Sequence, residues 1–258
     1  IISASCDAMP RRLLFLLLCL VLQVGMAAGV ESSVSGQTLR VLVLDDAPPL
    51  SYRDRSGQLT GFNVEIVRAL CREMQVRCLF DVTTQGAVVD AVAEGKADIA
   101  GVGLQETPER QGKLIFAKPH YRSLSLWLAP RGVQPGQPGL KVAVVGGSEQ
   151  EYYARRQGWA TLDVSTYGEL GEPLIAGRAQ AAVVPMISAL NLQKSEAFRQ
   201  LDLVPVVMRI PELAGDIAFG ISPRRPELKE EINAALDRIK RNGTYDRINS
   251  RFLPFRVS

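Results

Sequence analysis

Short apolar runs of strand type alternate with segments of helical periodicity from Leu39 almost to the end of the chain. The run 39–44 alternates as a strand does, whereas the apolar residues within 64–74 recur at helical spacing. A Pro/Gly-rich stretch, 131–139, separates a first series of these units from a second one. Strands that alternate with helices are typical of layered folds, so the sequence predicts an α/β protein.

The same patterns place the individual elements. The predicted strands are 39–44, 78–82, 98–102, 123–129, 141–145, 162–165, 181–184, 202–208 and 216–221. The predicted helices are one that Asn63 caps, 86–94, a short one that Thr107 caps, 149–157, 169–176, 186–194, 226–242 and a final one that Thr244 caps. Pro108 suits the first helical position after Thr107, and Gly243 suits the end of the long helix.

The N-terminus has the composition of an export signal. Arg11 and Arg12 form a basic segment after Met9, the expected start, and small residues at 26–28 offer a cleavage site near Ala28. The apolar run 13–28 has 16 residues, fewer than the roughly 20 that span a bilayer. We therefore expect residues 1–28 to comprise upstream sequence plus a cleaved signal peptide, and the mature protein to be periplasmic.

Charge and length restrict the possible partners. The whole chain has a formal net charge of +3, and removal of residues 1–28, which carry Arg11, Arg12 and Asp7, leaves +2 on 230 residues. This near balance gives no basis for predicting a nucleic acid or a membrane surface as partner. The length suits one large domain or two modest ones, each able to bury a core.

Cys71 and Cys78 are the two cysteines that remain after the expected cleavage. A single pair in an oxidising compartment is typical of one disulfide, and two buried free thiols are the alternative. Two cysteines and the distant His120 supply too few ligands for a metal site, so no metal or other cofactor is predicted.

Motifs at both ends of the mature chain resemble one known family. They are GQLTGFNVEI at the first helix, the GKAD turn into a strand, the TPER segment, and the C-terminal run GISPRRPELKEEINAALDRIKRNGTYDRINSRFLPF. Their order resembles that in the family 3 periplasmic solute-binding proteins, the polar amino-acid branch of ABC importer receptors. The resemblance covers nearly all of the mature chain and is weaker in its middle.

The resemblance implies a two-lobed periplasmic binding protein of type II, a Venus flytrap whose lobes are joined by two crossover strands. Lobe 1 would comprise residues 29–130 and, after the chain returns, residues 214–258. The linker and lobe 2 would comprise residues 131–213. Histidine- and lysine-type receptors of this family carry a cysteine pair at the same helix–strand junction, which implies the disulfide Cys71–Cys78.

The implied function is that of a receptor without catalytic activity. It would clamp a small carboxylate-bearing solute, an amino acid or a related organic acid, and present it as a monomer to an ABC permease in the inner membrane. One alternative is a free accessory or sensing clamp that is not coupled to transport. Another is a dehydratase-like enzyme on the same fold, with Glu149 or Glu106 as its acid or base.

Arg110 is the predicted anchor of the solute carboxylate. A guanidinium is always charged and can grip a carboxylate through two parallel hydrogen bonds. On the residues alone, an arginine in the first turn of a short helix is more often a solvated surface residue. The resemblance favours the binding role, because the carboxylate-binding arginine of the family stands at this place in its T-x-E-R motif.

Further positions around the expected cleft follow from the same resemblance. Backbone N–H groups of Val102 and Gly103 and the side chain of Gln105 would contact the solute, with an exposed loop residue as the alternative for Gln105. Ser148 would cap a helix and also contact the solute. Glu149 would face a cationic group or complement the helix dipole. The remaining predicted contacts are Gln85 and Tyr52, with Tyr52 the nearest aromatic residue in a pocket otherwise poor in rings.

Pro185 is the largest departure from the family pattern. Amino-acid-binding members place an aspartate here for the α-ammonium of the solute, whereas proline offers neither a charge nor an N–H group. A buried ammonium without a carboxylate partner is costly. Either Glu149 or another acid replaces this aspartate, or the solute is a carboxylate without an ammonium group. The sequence does not identify the solute. His120 is expected to have a structural role.

Overall fold

The fold was analysed in a computed structural model that describes residues 33–257. The expected signal peptide and its cleavage site lie outside the described residues. No helix within residues 33–257 is long and apolar enough to cross a membrane. The strands and helices of this part alternate along the chain, as the sequence predicts.

Two large sheets and one small sheet contain the strands. The strands are β1 (Thr38–Val43), β2 (Asp46–Ala47), β3 (Ser51–Arg53), β4 (Leu59–Thr60), β5 (Arg77–Val82), β6 (Ile99–Gln105), β7 (Ile115–Phe116), β8 (Tyr121–Ser123), β9 (Ser125–Ala129), β10 (Lys141–Val145), β11 (Ala160–Val164), β12 (Ala181–Pro185), β13 (Val204–Val207) and β14 (Gly215–Ile221). The helices are α1 (Phe62–Glu73), α2 (Val88–Ala93), α3 (Pro108–Gln111), α4 (Glu149–Arg156), α5 (Glu172–Ile175), α6 (Met186–Leu192), α7 (Glu196–Arg199), α8 (Leu228–Arg241) and α9 (Thr244–Phe252), with 3₁₀ turns at Glu169–Gly171 and Pro211–Leu213.

The first large sheet has the strand order β5-β1-β6-β14-β7, and β8 also pairs with β14. Its strands β1, β5 and β6 are parallel, as expected where helices connect them. Strand β14 runs antiparallel to β6 and brings the chain back from the second sheet. The returning helices α8 and α9 pack on α1, so the C-terminal segment completes lobe 1.

The second large sheet has the order β11-β10-β12-β9-β13 and forms lobe 2. Strand β9 lies in this sheet, because it pairs with β12 and β13. The predicted strand 123–129 is therefore two strands, and the predicted end of the first part of lobe 1 at residue 130 is wrong. The apolar sequence of residues 125–129 fits either large sheet equally well. The chain crosses at Leu124, and the Pro/Gly-rich stretch 131–139 is a loop within lobe 2.

Helix α1 begins differently from the prediction. Its N-cap is Gly61, and the free N–H groups of Phe62 and Asn63 donate to the carbonyls of Pro49 and Leu50. Gly61 has φ 123°, and a Cβ atom there would lie 2.5 Å from the Leu50 oxygen, so this approach requires glycine. The Asn63 side chain instead points inward and donates to the Val102 carbonyl at 3.0 Å.

The other predicted caps have mixed outcomes. The Thr107 hydroxyl accepts from the Arg110 N–H, with Pro108 in the first turn, and the Ser148 hydroxyl accepts from the Glu151 N–H. Both caps are confirmed. Thr244 is not a cap, because Gly243, with φ 74°, holds that position and ends the preceding helix α8 as predicted. A left-handed residue between two helices favours glycine.

The predicted disulfide joins Cys71, near the end of α1, to Cys78 in β5, with 6.2 Å between their Cα atoms. The two residues are seven positions apart, so the bond closes a short loop and should contribute about 2–3 kcal/mol. We expect the double substitution Cys71→Ser plus Cys78→Ser to lower the free energy of unfolding by that amount in urea titrations. Reductant should destabilise the wild type equally and leave the variant unchanged. Equal stability of the oxidised and reduced wild type would contradict the prediction.

Candidate functional site

A cavity of about 60 Å³ lies between the two large sheets. Loops that follow the strands of both lobes surround it, where parallel α/β sheets commonly place ligands. Six of the eight predicted contact residues line this cavity: Gln85, Val102, Gly103, Gln105, Arg110 and Glu149. Their ligand-binding roles remain predictions, since their position alone does not test binding.

Arg110 lies on the short helix α3 and is buried at the cleft. Thr107 and Pro108 start this helix, and the turn directs the arginine back toward the end of β6. The guanidinium donates through Nη1 to the carbonyl of Gln105 at 3.1 Å. A protein acceptor therefore fixes one side of the guanidinium, and the planar group is oriented before any solute arrives.

Glu149 approaches Arg110 from the other lobe. It is the first residue of α4, directly after the Ser148 cap, where the helix dipole favours a carboxylate. Its Oε1 atom lies 3.0 Å from Arg110 Nη2, and the two side chains are only 14% and 7% exposed. The two predicted charged residues of the site thus form an ion pair with each other across the cleft.

Gly103 and Gln105 line the first-lobe wall. Gly103 has φ 67°, and a Cβ atom there would lie 2.8 Å from Asn63 Nδ2, so the backbone at this point must remain without a side chain. Gln105 donates from Nε2 to the Glu212 carbonyl at 3.0 Å. The alternative that Gln105 is an exposed loop residue is wrong, because it lines the cavity and is tied to the segment that precedes β14.

Two predicted contacts lie elsewhere. The Ser148 side chain is buried and its hydroxyl accepts from the Glu151 N–H at 3.2 Å, so it serves the helix cap. Tyr52 lies on β3 between Asp46 and Thr60 of the small sheet and does not line the cavity. Its neighbour Ser51 does line the cavity, and successive side chains of a strand point to opposite faces.

Two tyrosines that the sequence analysis did not assign to the pocket line it instead. They are Tyr121, at the start of β8, and Tyr167, in the loop after β11. Burial raises the pKa of Tyr167 to about 12, with Arg110 opposing and Glu149 adding to this effect. The prediction that Tyr52 is the nearest aromatic residue is therefore wrong. Tyr167 follows a parallel strand directly, and this position in the sequence could have indicated that it lies at the cleft.

Other uncharged groups complete the lining. Gln150 donates from Nε2 to the Ser125 hydroxyl at 2.9 Å, and Ser123 and Ser188 face the same space. Pro185 also lines the cavity, at the place where the family pattern has an acid. Arg110 and Glu149 are thus the charged residues of the described lining, which has no net charge.

Contacts outside the cavity also join the lobes. The Thr166 hydroxyl donates to Asp46 Oδ2 at 2.6 Å, and the Gly168 N–H donates to the Asp46 carbonyl at 3.1 Å. A Cβ atom on Gly147 would lie 2.2 Å from Gly86 Cα. The two lobes therefore approach so closely that the backbone at residue 147 leaves no room for a side chain.

His120 is buried and does not line the cavity. It stacks on Phe219, with 4.1 Å between ring centroids, and its Nε2 atom lies 3.2 Å from Asn63 Oδ1. This environment agrees with the predicted structural role. Within residues 33–257 no group of three or more His, Cys, Asp or Glu side chains could hold a metal ion.

The sequence from residue 39 to residue 255 matches the family described as bacterial extracellular solute-binding proteins, family 3. The chain belongs to this family. As a family 3 protein it is a solute-binding receptor with the two-lobed type II fold.

Individual relatives cover between 83% and 93% of this family 3 protein. The lysine/arginine/ornithine-binding periplasmic protein of Escherichia coli is 27% identical over 254 residues, which are 93% of this chain and 97% of that protein. An ancestral arginine-binding protein solved with bound arginine has a TM-score of 0.74 and 26% identity, over 84% of this chain and 98% of that one. An ancestral amino-acid-binding protein, a precursor of cyclohexadienyl dehydratase, has a TM-score of 0.73 and 28% identity, over 83% and 95%.

Proposed function

We propose that the protein is the periplasmic receptor of an ABC-type importer and holds a carboxylate-bearing solute, an amino acid or a related organic acid, between its lobes. The observation that carries this proposal is the buried Arg110 guanidinium at the cavity, held on one side by the Gln105 carbonyl. A buried, oriented arginine is suited to a bidentate carboxylate. The solute would favour the lobe-closed state, and a membrane permease would then recognise the closed receptor.

The relatives support an amino acid as the first class to test. The E. coli relative is named for lysine, arginine and ornithine, and the ancestral structure holds arginine. In this chain Pro185 offers no acid for an ammonium group, so Glu149 is the cleft carboxylate that would take that part. We infer an exported receptor, by analogy with a relative that is named as periplasmic, and we propose that it acts as a monomer.

An enzymatic role is the second candidate, because one structural relative is a precursor of a dehydratase. The two acids available for it are poorly suited. Glu106 accepts from the Gln111 side chain at 2.9 Å and does not line the cavity. The Glu149 carboxylate is already engaged by the Arg110 guanidinium at 3.0 Å. We therefore propose a binding protein without catalytic activity.

A thermal-shift screen tests the receptor proposal. The panel contains arginine, lysine, histidine, glutamine, keto acids and dicarboxylates, with neutral sugars as the matched control class. A solute at 100 times its Kd adds about 2.7 kcal/mol, which should raise the Tm of a protein of this size by about 5–11 °C. We expect at least one carboxylate to do so and the sugars to have no effect. A flat response to every carboxylate, or turnover of one, would contradict the proposal.

A further inference from the structure

Arg110 already has a carboxylate partner within the protein. Nη1 donates to the Gln105 carbonyl at 3.1 Å, and Nη2 lies 3.0 Å from Glu149 Oε1. The two terminal nitrogens are thus engaged by groups from opposite lobes. A solute carboxylate that grips this guanidinium through Nη2 therefore competes with the Glu149 carboxylate for it.

The Arg110–Glu149 pair differs from the other ion pairs found in residues 33–257. It is the most buried of them, and it joins lobe 1 to lobe 2. The next most buried pair, Arg225–Asp98, has side chains 24% and 19% exposed and lies within lobe 1. Burial reduces solvent screening, so this pair acts on the relative position of the lobes more strongly than an exposed pair would.

Each member of the pair is fixed to a different lobe, so the pair forms only when the lobes close. Glu149 is held at the start of α4 by the Ser148 cap, so its carboxylate moves with lobe 2. Arg110 is held by its helix and by the Gln105 carbonyl, so its guanidinium moves with lobe 1. Separation of the lobes must break the pair, and re-formation of the pair must bring Gly147 back against Gly86.

We propose that the Glu149 carboxylate occupies the carboxylate-binding position beside the Arg110 guanidinium. This ion pair closes the clamp through protein groups alone, and a solute carboxylate must replace Glu149 in order to bind there. This inference rests on the proposed function for the replacement step. Glu149 is then the residue that sets affinity and selectivity. A plain carboxylate leaves two like charges beside one arginine, whereas a solute that also carries a cationic group gives the displaced Glu149 a new partner.

The test uses small-angle X-ray scattering of the purified protein in buffer without solute, which reports the separation of the lobes. Gly147→Ala supplies the open reference, because its Cβ atom cannot fit against Gly86 in the closed form. We expect the wild type to be more compact than this reference. Glu149→Gln should lower the ratio of closed to open molecules at least tenfold and give scattering close to that of the reference.

Glu151→Gln is the matched control. Glu151 lies on the same helix, and its side chain, 11% exposed, is slightly more buried than that of Glu149. It pairs with Arg155 of its own helix and accepts from the Gly147 N–H. The change removes the same charge and leaves the Arg110–Glu149 pair intact, and the glutamine oxygen can still accept from the Gly147 N–H. This variant should therefore scatter like the wild type. Arg110→Gln plus Glu149→Gln should open no further than either single change.

Two outcomes would overturn the proposal: a wild type as extended as Gly147→Ala, or a Glu149→Gln variant as compact as the wild type. Unfolding curves of each variant establish that it is folded before its scattering is interpreted. Because no solute is added, the experiment is independent of the thermal-shift screen. A failed screen with an opened Glu149→Gln variant would reject the receptor proposal and retain the internal ion pair as the closing contact.

Discussion

Arg110→Ala is expected to abolish measurable binding of any carboxylate solute that the wild type binds. Loss of one member of a buried, hydrogen-bonded charge pair costs about 2–5 kcal/mol, which corresponds to roughly a 30-fold or larger rise in Kd. The effect should be at the upper end, because the change also leaves Glu149 in the cleft without its partner and beside the incoming carboxylate. Isothermal titration of the wild type and the variant with the same solute measures it.

Arg40→Ala is the matched control for this prediction. Arg40 also pairs with a carboxylate, Asp81, at 3.1 Å, but its side chain is 58% exposed and lies on β1 away from the cavity. An exposed pair of this kind contributes about 0–1 kcal/mol, and the Kd should be unchanged. Wild-type affinity in Arg110→Ala would show that the solute is held elsewhere and would remove the main support for the carboxylate clamp.

His120 is expected to make the protein unstable in mild acid. Burial, with a smaller effect of the nearby Lys240 charge, lowers the pKa of His120 from its ordinary value to about 3 in the folded protein. The unfolded chain binds a proton near pH 6.5, whereas the folded chain does not. The contribution of neutral His120 to the free energy of unfolding is therefore fully present above pH 6.5 and decreases as the pH falls toward 3. At pH 5 this residue alone should lower the free energy of unfolding by about 2 kcal/mol.

Urea unfolding of the wild type and His120→Gln between pH 7.5 and 5 measures this contribution. Glutamine removes the titration and retains an amide that can donate to Asn63, which His120 contacts at 3.2 Å. The variant should be less stable at neutral pH, because stacking on Phe219 is lost. The free energy of unfolding of the variant should fall less steeply as the pH decreases. The difference in slope should correspond to the binding of about one proton. Parallel pH profiles would contradict the assignment, since other groups titrate equally in both proteins.

Much of the fold was predictable because it depends on local patterns. Alternating strand and helix periodicity predicted the α/β class, and the single cysteine pair together with the expected export predicted the disulfide. The Thr107 and Ser148 caps were predictable because a cap depends on the next three residues only. The motifs at both ends of the chain predicted the family that residues 39–255 match.

Other features depend on partners that are distant in the sequence. Strand β9 has an apolar pattern that suits either sheet, and only its pairing with β12 and β13 assigns it to lobe 2. Asn63 has the residue type of a cap, but carbonyls of the preceding turn satisfy the first N–H groups of α1, and its side chain bonds to Val102 instead. The position of Tyr52 outside the cavity lining also depends on tertiary structure and not on a local pattern.

The sequence by itself determined the class of fold through its periodicity. Through the resemblance to the family it also determined the disulfide pair and the identity of the two charged residues at the cleft. Only the tertiary structure decided that Arg110 and Glu149 meet each other, 3.0 Å apart across the lobes. They lie 39 positions apart in sequence. Their contact depends on how two separately folded sheets approach each other, and no local pattern encodes that geometry.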